Sequence, residues 1–364
     1  MEKLDLLILF GGKSSEYEVS LVSASSIIKN ADPEKYNIIT VGITKDGDWY
    51  HYAGDADAIK SGDWCSEPEK LERAAISPST SDSALLIFGK DGSYRSRHID
   101  VIFPVMHGAF SEDGTLQGLL QISGIPFVGC KCCTSAIGMD KGFAKMILKN
   151  VGIHMARSIV VNSAMLEKGY PQILERCEQM SPYPLFVKPA NAGSSVGASK
   201  VTARDRLLPA MYEAAKYDSK VVVEEFVKGK ECEVAVMGKN SFITSTVGQI
   251  VPGSDFYDYD TKYSPESSAT YNIPADIKEE TQLAIRRTAM QICSVLGVEG
   301  LARVDFFVRR APGGQEEVIF NEINTMPGFT EISMYPKLFM HDGMSYGEII
   351  DRLVNLALGK DELA

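Results

Sequence analysis

The sequence lacks long apolar runs and basic segments, and each absence excludes a class of protein. No apolar run reaches the roughly 18 residues that a membrane-spanning helix needs, and Lys3 and Asp5 interrupt the start before a signal-peptide core could form. The formal net charge of -11 repels a polyanion, and no basic run is interleaved with aromatic residues. We therefore expect a cytoplasmic protein without membrane or nucleic-acid partners.

The seven cysteines lack the paired spacing of a disulfide framework or of a zinc site. Their one cluster is Cys130, Cys132 and Cys133, and no histidine lies near it in the sequence to complete a ligand set. Reduced, structural thiols are the favoured interpretation, with metal binding as the alternative.

The composition is that of an ordinary globular protein, with 45% hydrophobic and 23% charged residues and no repeat of fixed period. Its 364 residues exceed one typical domain, so two or three domains are expected. We predict an N-terminal domain at 1–129, a central domain at 130–224 and a C-terminal domain at 225–364.

The first 129 residues have the pattern of a doubly wound, parallel α/β unit. An apolar run at 4–10 ends in two glycines and precedes a helical pattern, which predicts a strand, a tight turn and a helix. Apolar runs at 38–43 and 100–105 extend the same sheet, and 51–83 is a polar insertion.

After residue 129 the pattern changes to mixed α+β. A helix is predicted at about 139–151, and the end of the chain forms an amphipathic helical tail. The predicted strands lie at 158–161, 185–188, 220–225, 231–237, 242–250, 301–308 and 317–323. The segment at about 251–274 is rich in Gly, Ser, Asp, Tyr and Pro, and a loop of this length is typical of a lid.

Two loops near the N-terminus contain candidate binding residues. The segment 11–14 is not a phosphate-binding P-loop, because Leu7 stands where the leading glycine is required. The turn still opens a helix, so Glu16 either serves a ligand or complements the helix dipole. His107 follows a strand at the sheet edge where α/β folds bind ligands, and is either functional or a structural hydrogen-bonding residue.

Two segments of the central region suit a nucleotide. Lys188 ends a strand before a Gly/Ser loop at 193–197, which fits phosphate oxygens, although a plain turn is the alternative. Glu224 and Glu231 flank a connection whose apolar side chains suit a flat ring, so an adenosine fits; a solvated turn is the alternative.

Two predicted strands near the C-terminus carry acids among apolar residues. Alternation along the strand places Glu322 and Asn324 on one face, and Arg303 and Asp305 follow the same rule. Oxygen ligands on neighbouring strands suit Mg²⁺ bound together with phosphates. A structural polar cluster is the alternative, but buried acids are costly without a partner.

The sequence resembles the D-alanine–D-alanine ligase family along essentially its whole length. The resemblance implies an ATP-grasp fold preceded by a doubly wound parallel α/β domain. It is carried by six ordered blocks: Gly11-Gly12 with 15–20, His107-Gly108 with 112–118, 139–141, Lys188-Pro189 with 193–197, 256–259 with Lys262-Tyr263, and 322–325 with Pro327-Gly328.

The resemblance implies a complete ATP site between the central and C-terminal domains. The implied ATP-binding residues are Lys141, Lys188, Ser194, Glu224, Glu225, Phe226, Val227, Glu231 and Lys262. Lys141 and Lys188 would contact the phosphates, Glu224 the adenine amino group and Glu231 the ribose. The residues implied to hold two Mg²⁺ or Mn²⁺ ions are Asp305, Glu322 and Asn324.

For the amino-acid substrates, the resemblance implies that Glu16 binds the ammonium of the first D-alanine and Ser333 the carboxylate of the second. The full set of implied substrate-binding residues is Glu16, His107, Arg303, Gly328, Ser333 and Met334. The implied catalytic residues are Glu16, Ser194, Tyr263, Arg303 and Gly328. The first three form a trio that tethers the lid, and the last two stabilise developing negative charge.

The activity that the resemblance implies is the joining of two D-alanine molecules for cell-wall peptidoglycan. The first carboxylate attacks the γ-phosphate of ATP, and the amine of the second D-alanine displaces the phosphate from the resulting D-alanyl phosphate. Lysine, arginine and metal charges stabilise both steps, and the closed lid excludes water. The resemblance also implies a homodimer formed through the N-terminal domain.

Three alternatives compete with this interpretation. The segment 48–52 is also similar to the vancomycin-resistance ligases, which join D-alanine to D-serine or D-lactate, but Tyr263 and the absence of an arginine at Met334 favour D-alanine. A non-catalytic nucleotide-binding relative would lack Arg303 or a metal ligand. Other carboxylate–amine ligases would lack the blocks around Glu16 and Tyr263. Ser111 and Glu225 depart from the residues expected in the family.

Overall fold

The computed structural model describes residues 2–193, 196–251 and 270–360. In these ranges the chain forms three β-sheets, of seven, four and six strands, with helices packed against them. No helix in the described ranges is both long enough and apolar enough to cross a membrane.

The seven-stranded sheet confirms the predicted parallel strands and extends them. β1 pairs in parallel with β2 and β7, while β3 to β6 continue the sheet in antiparallel pairs. The polar insertion at 51–83 is therefore part of the sheet. The strands are β1 (Leu4–Gly11), β2 (Tyr36–Ile43), β3 (Trp49–Tyr52), β4 (Leu71–Ile76), β5 (Ala84–Phe88), β6 (Tyr94–His98) and β7 (Val101–Val105), and the helices are α1 (Tyr17–Asn30), α2 (Ala56–Ser61) and α3 (Thr115–Ser123).

The four-stranded sheet is antiparallel, in the order β10-β9-β11-β8. Its strands are β8 (Ser158–Asn162), β9 (Leu185–Pro189), β10 (Ser199–Val201) and β11 (Lys220–Glu225). The neighbouring helices are α4 (Cys132–Met139), α5 (Lys141–Lys149), α6 (Leu166–Met180) and α7 (Arg204–Ala214). Asp140 separates α4 from α5 because its carboxylate accepts the Phe143 N–H at 3.0 Å and caps α5.

The six-stranded sheet carries the candidate acids. Its strands are β12 (Lys230–Gly238), β13 (Phe242–Thr244), β14 (Gly248–Val251), β15 (Thr270–Asn272), β16 (Gly300–Arg310) and β17 (Glu316–Asn324). The single strand predicted at 242–250 was wrong, because it divides into β13 and β14. At the break, the Ser245 hydroxyl accepts the Ala235 N–H at 3.0 Å.

The C-terminal helices connect this sheet to the N-terminal one. They are α8 (Glu279–Leu296), α9 (Met334–His341) and α10 (Tyr346–Ala357). Buried residues of α9 and α10 share one core with β1 and β7. Phe329 packs edge-on against Phe103 of β7, at 5.7 Å, and against Tyr346 of α10, at 5.8 Å. This packing fixes the loop before α9, where Gly328 and Ser333 lie.

The predicted domain boundaries after residues 129 and 224 stay predictions. Residues 252–269, which form most of the predicted lid, lie outside the described ranges, as do Ser194, Lys262 and Tyr263.

Candidate active site

One cavity of about 510 Å³ is lined by strands of the six-stranded sheet and by loops and helices that adjoin the other two sheets. The sequence-predicted residues that line it are Glu16, His107, Lys141, Arg303, Glu322, Asn324, Gly328, Ser333 and Met334. These residues are up to about three hundred residues apart in the sequence, so they become neighbours only in the folded chain.

Glu16 lies at one end of the cavity, just before α1, and is 8% exposed. Two glycine loops close around its carboxylate. A Cβ atom at Gly108 would lie 2.7 Å from Glu16 Oε2, and one at Gly193 would lie 2.9 Å from the same oxygen. Only glycine lets the backbone approach so closely. The result is a narrow, anionic end that suits a small ammonium group.

His107 is buried behind this end and connects two loops. Its Nδ1 donates to the Met326 carbonyl at 3.0 Å, and its Nε2 lies 3.4 Å from Ser23 Oγ. Burial opposes the charged imidazole, but Glu112, 3.6 Å away, raises the pKa of His107 above its ordinary value. Sequence analysis missed Glu112 as a partner. His107 lines the cavity and also makes these structural contacts, so its role in binding stays a prediction.

Arg303 lines the cavity and is held by two carboxylates. Its Nε and Nη2 donate to the two oxygens of Asp305 at 2.8 and 2.7 Å, and Nε is 3.2 Å from Glu233 Oε2. Burial disfavours its charge, but the two acids raise the pKa of Arg303 well above its ordinary value. The guanidinium is therefore a fixed positive charge. Sequence analysis missed Glu233, although its alternation with Glu231 in apolar β12 was a signal.

Asp305, Glu322 and Asn324 provide oxygen atoms on adjacent strands. Asp305 and Glu322 are register partners on β16 and β17, and Asn324 follows on the same face of β17. This donor set fits Mg²⁺, which takes carboxylate and amide oxygens and completes its shell with phosphates and water. In the described ranges no group of three His, Cys, Asp or Glu side chains could hold a metal without further ligands. A magnesium site here would depend on the Asn324 amide and on the nucleotide.

Lys141 connects the acid face to the neighbouring loop. Its Nζ is 3.4 Å from Glu322 Oε2 and donates to the Ala192 carbonyl at 2.7 Å. Ala192 and Gly193 begin the Gly/Ser loop predicted to bind phosphate. A cation therefore lies where the sequence predicted a phosphate contact.

Lys188 and Glu224, two of the residues predicted to bind the nucleotide, form an ion pair, and Lys145 joins them. Sequence analysis missed Lys145, and nucleotide binding by this group stays a prediction. Glu224 Oε2 is 3.1 Å from Lys188 Nζ, and Oε1 is 2.9 Å from Lys145 Nζ. Burial opposes the charge of Glu224, but the two lysines lower the pKa of its carboxyl. Lys145 lies one helical turn after Lys141, and this spacing was its only signal in the sequence.

The connection after β11 places the other predicted ATP-binding residues. Glu225 accepts from Arg157 Nε at 2.8 Å, and Phe226 lies 4.3 Å beneath the Lys200 ammonium. Val227 is buried against Ile319 and Ala156. Glu231 lies on β12 between Phe307 and Ile250. Nucleotide contacts at these four positions stay predictions.

The loop before α9 also lines the cavity. Ser333 Oγ accepts the Thr330 N–H at 3.0 Å, and a Cβ atom at Gly328 would lie 2.8 Å from it. Ser333 immediately precedes α9, so the free N–H groups of the first helical turn favour a carboxylate here. Met334 is buried and packs against Gly248.

Comparison with known proteins gives the same family for both halves of the chain. A family model described as the D-ala D-ala ligase N-terminus matches residues 5–130, and one described as the D-ala D-ala ligase C-terminus matches residues 147–355. The D-alanine–D-alanine ligase of Acetivibrio thermocellus is 45% identical, with 98% of this chain and 96% of that protein covered. That of Ruminiclostridium cellulolyticum is 44% identical, with 100% and 97% covered.

Solved structures give the same result. The VanG D-Ala:D-Ser ligase from Enterococcus faecalis has a TM-score of 0.88 at 38% identity, covering 98% of this chain and 100% of the other. The D-alanine–D-alanine ligase from Coxiella burnetii has a TM-score of 0.82 at 31% identity, covering 99% and 95%. With the predicted α/β and ATP-grasp architecture confirmed by these structures, the chain belongs to the D-alanine–D-alanine ligase family.

Proposed function

We propose that this chain uses ATP to join two D-alanine molecules into D-alanyl-D-alanine, a peptidoglycan precursor, with release of ADP and phosphate. One observation carries the proposal. A single cavity has an enclosed carboxylate at Glu16, a fixed cation at Arg303 and a helix start at Ser333. These three features can receive an ammonium group, a transferring phosphate and the carboxylate of a second amino acid.

The first D-alanine binds with its ammonium at Glu16, near the His107–Glu112 pair. Its carboxylate is proposed to face Lys141 and Arg303, the cations that line the same cavity. A carboxylate oxygen attacks the γ-phosphorus, the bond to the β-γ bridging oxygen breaks, and ADP leaves. Lys141 and Arg303 stabilise the negative charge because they are held in place before the reaction.

The second D-alanine binds with its carboxylate at the N-terminus of α9, beside Ser333. Its free amine attacks the acyl carbon of D-alanyl phosphate, the amine loses a proton, and inorganic phosphate leaves as the peptide bond forms. Arg303 and the Gly328 N–H stabilise the oxyanion of this step. Ser194, Lys262 and Tyr263 are proposed to close the site, as the family resemblance implies.

For the nucleotide, we propose that Lys188 contacts a phosphate, Glu224 the adenine amino group and Glu231 the ribose, with 225–227 beside the base. Asp305, Glu322 and Asn324 are proposed to hold two Mg²⁺ or Mn²⁺ ions, which neutralise phosphate charge when bound. A homodimer and a cytoplasmic location are proposed on the same family grounds.

D-Serine is the second candidate for the acceptor, because the VanG D-Ala:D-Ser ligase has a similar structure. D-Alanine is favoured by the names of the 44–45% identical relatives and by Met334, a buried apolar side chain where the resistance enzymes are expected to have arginine.

The test is ADP release by the purified protein with Mg²⁺-ATP and D-alanine, repeated with D-serine or D-lactate added, with product masses measured in parallel. D-Alanyl-D-alanine as the main product supports the proposal. A mixed product as the main one would transfer the assignment to the resistance type, and no ADP release with any of these acceptors would reject the ligase activity.

A further inference from the structure

A buried cluster beside the cavity contains one residue without an assigned role. Lys145, Glu224 and Lys188 form this cluster, which we name the buried triad, and their side chains are at most 8% exposed. Each ammonium forms an ion pair with a different oxygen of the Glu224 carboxylate, at 2.9 and 3.1 Å, although Lys145 Nζ and Glu224 Oε1 are not aligned for a hydrogen bond. Burial and the nearby Lys188 lower the pKa of Lys145, and the Glu224 carboxylate opposes this shift.

The backbone gives Lys145 a specific relation to the cavity. Lys141 and Lys145 are four residues apart on α5, so they lie on one helical face about 6 Å apart along the axis. Lys141 reaches the acid face through Glu322, while Lys145 reaches Glu224. One rigid helix thus connects the proposed phosphate end of the nucleotide site to its proposed base end.

The two lysines of the buried triad differ in what else they are proposed to bind. Lys188 has a second partner and a proposed phosphate contact, whereas no phosphate contact is proposed for Lys145. Lys188 Nζ also lies 3.4 Å from the Asn321 amide oxygen, and it is the proposed phosphate contact. When Lys188 turns toward a phosphate, Lys145 is the cation that stays beside Glu224. A buried carboxylate needs such a partner to remain ionised, because desolvation otherwise favours the protonated form.

We propose that Lys145 is a positioning residue that keeps Glu224 an ionised hydrogen-bond acceptor and thereby selects a purine with an amino group at its six position. The inference rests on the proposed function and extends it to the choice of nucleotide. An ionised carboxylate accepts the adenine N–H but has no proton to offer the oxygen at the same position of guanine. A buried acceptor left without a donor rejects such a ligand.

The test compares Lys145→Met with Lys149→Met, which removes an exposed lysine one turn further along the same helix. KM and kcat are measured with ATP and with GTP, and equilibrium binding of ADP and GDP is measured separately. For Lys145→Met we expect the KM for ATP to rise about 10- to 100-fold with a much smaller change in kcat, because a charged hydrogen bond is weakened. The preference for ATP over GTP should fall, while Lys149→Met should keep it.

A second comparison separates positioning from general damage to the fold. In a Glu224→Gln background, Lys145→Met should cause no further loss of the ATP preference, because the group through which Lys145 acts is already neutral. This double variant removes one charge of each sign, so it also serves if Lys145→Met alone fails to fold. An equal further loss in that background would overturn the inference.

The inference also fails if Lys145→Met keeps the ATP preference of the unaltered protein in both the kinetic and the binding measurements. Failure of the proposed function has a different signature: the unaltered protein would then release no ADP with D-alanine. In that case the binding of ADP against GDP still tests the buried triad by itself.

Discussion

Arg303 is the residue on which the proposed charge stabilisation depends most directly. Its guanidinium uses two nitrogens on Asp305, at 2.8 and 2.7 Å, and a lysine cannot reproduce this fork. We expect Arg303→Lys to lower kcat about 100- to 1000-fold, the usual cost of one misplaced charge-stabilising donor. Arg309→Lys is the matched control, because Arg309 lies on the same strand and pairs with Glu317 at the surface. Equal kcat values for the two variants would contradict the role of Arg303.

Gly108 tests whether the enclosed carboxylate of Glu16 binds the first substrate. Gly108 has φ +75°, and an added Cβ would lie 2.7 Å from Glu16 Oε2. Gly108→Ala should raise the KM for the first D-alanine by about tenfold or more, because the carboxylate and the Ser14 hydroxyl, 2.5 Å from the added Cβ, must both move. Gly152 has φ +77° with no atom within 4 Å of an added Cβ. Gly152→Ala therefore carries the same backbone strain and should leave both D-alanine KM values unchanged.

The site residues that the sequence identified lie in a different local context from those that it missed. Arg303, Asp305 and Glu322 were predictable because each is a charged residue within an apolar strand, where burial without a partner is costly. Glu112 and Lys145 were not, because a polar residue in a loop or on a helix is ordinary by itself. Each matters because of one partner: Glu112 pairs with His107, and Lys145 pairs with Glu224. A local sequence pattern does not reveal these contacts.

At the scale of elements, the insertion at 51–83 also owes its importance to contacts with other elements. The sequence identified it only as a polar insertion, yet it forms part of a continuous sheet and places Trp64 in the core. Trp64 packs edge-on against Phe10 at 5.0 Å, and its Nε1 donates to the Tyr17 hydroxyl at 3.1 Å. Tyr17 follows Glu16 directly, so the insertion supports the loop that carries the candidate carboxylate.

This contact predicts a coupling between the insertion and that loop. Trp64→Phe and Tyr17→Phe each remove one partner of the same buried hydrogen bond, so each should lower the free energy of unfolding by at least about 1 kcal/mol. Trp64→Phe should cost more, because it also leaves a cavity at a fully buried site. Together they should cost clearly less than the sum of the two, as for any pair that shares one interaction. Chemical denaturation of the four proteins measures the cycle. Strict additivity would show that the hydrogen bond contributes no stability.

At the scale of the whole molecule, the sheets are joined by a shared core and by ion pairs between distant segments. α9 and α10 bury their apolar faces against the N-terminal sheet, so the amphipathic tail found in the sequence connects the two ends of the chain. Glu299 makes a comparable connection with charges. Its carboxylate is 3.0 Å from Lys131 Nζ, ahead of α4, and 2.9 Å from Lys239 Nζ, between β12 and β13.

The pH dependence of stability should report this connection. Partial burial opposes the charge of Glu299, but Lys239 and Lys131 lower the pKa of its carboxyl below the ordinary value. A lowered pKa means that the folded state binds the proton less tightly than the unfolded state does. The stabilisation is therefore fully present above the ordinary pKa of about 4.3 and is lost as the pH falls through the folded value.

We expect Glu299→Gln to lower the free energy of unfolding by on the order of 1 kcal/mol between about pH 5 and pH 7, with the difference shrinking below about pH 4. Denaturant midpoints of the unaltered protein and the variant, measured at each pH, give the comparison. Glu34→Gln removes an exposed carboxylate and controls for the change in a net charge of -11. A difference that stays constant down to pH 3.5, or one that Glu34→Gln reproduces, would mean that the two lysines do not stabilise the fold through Glu299.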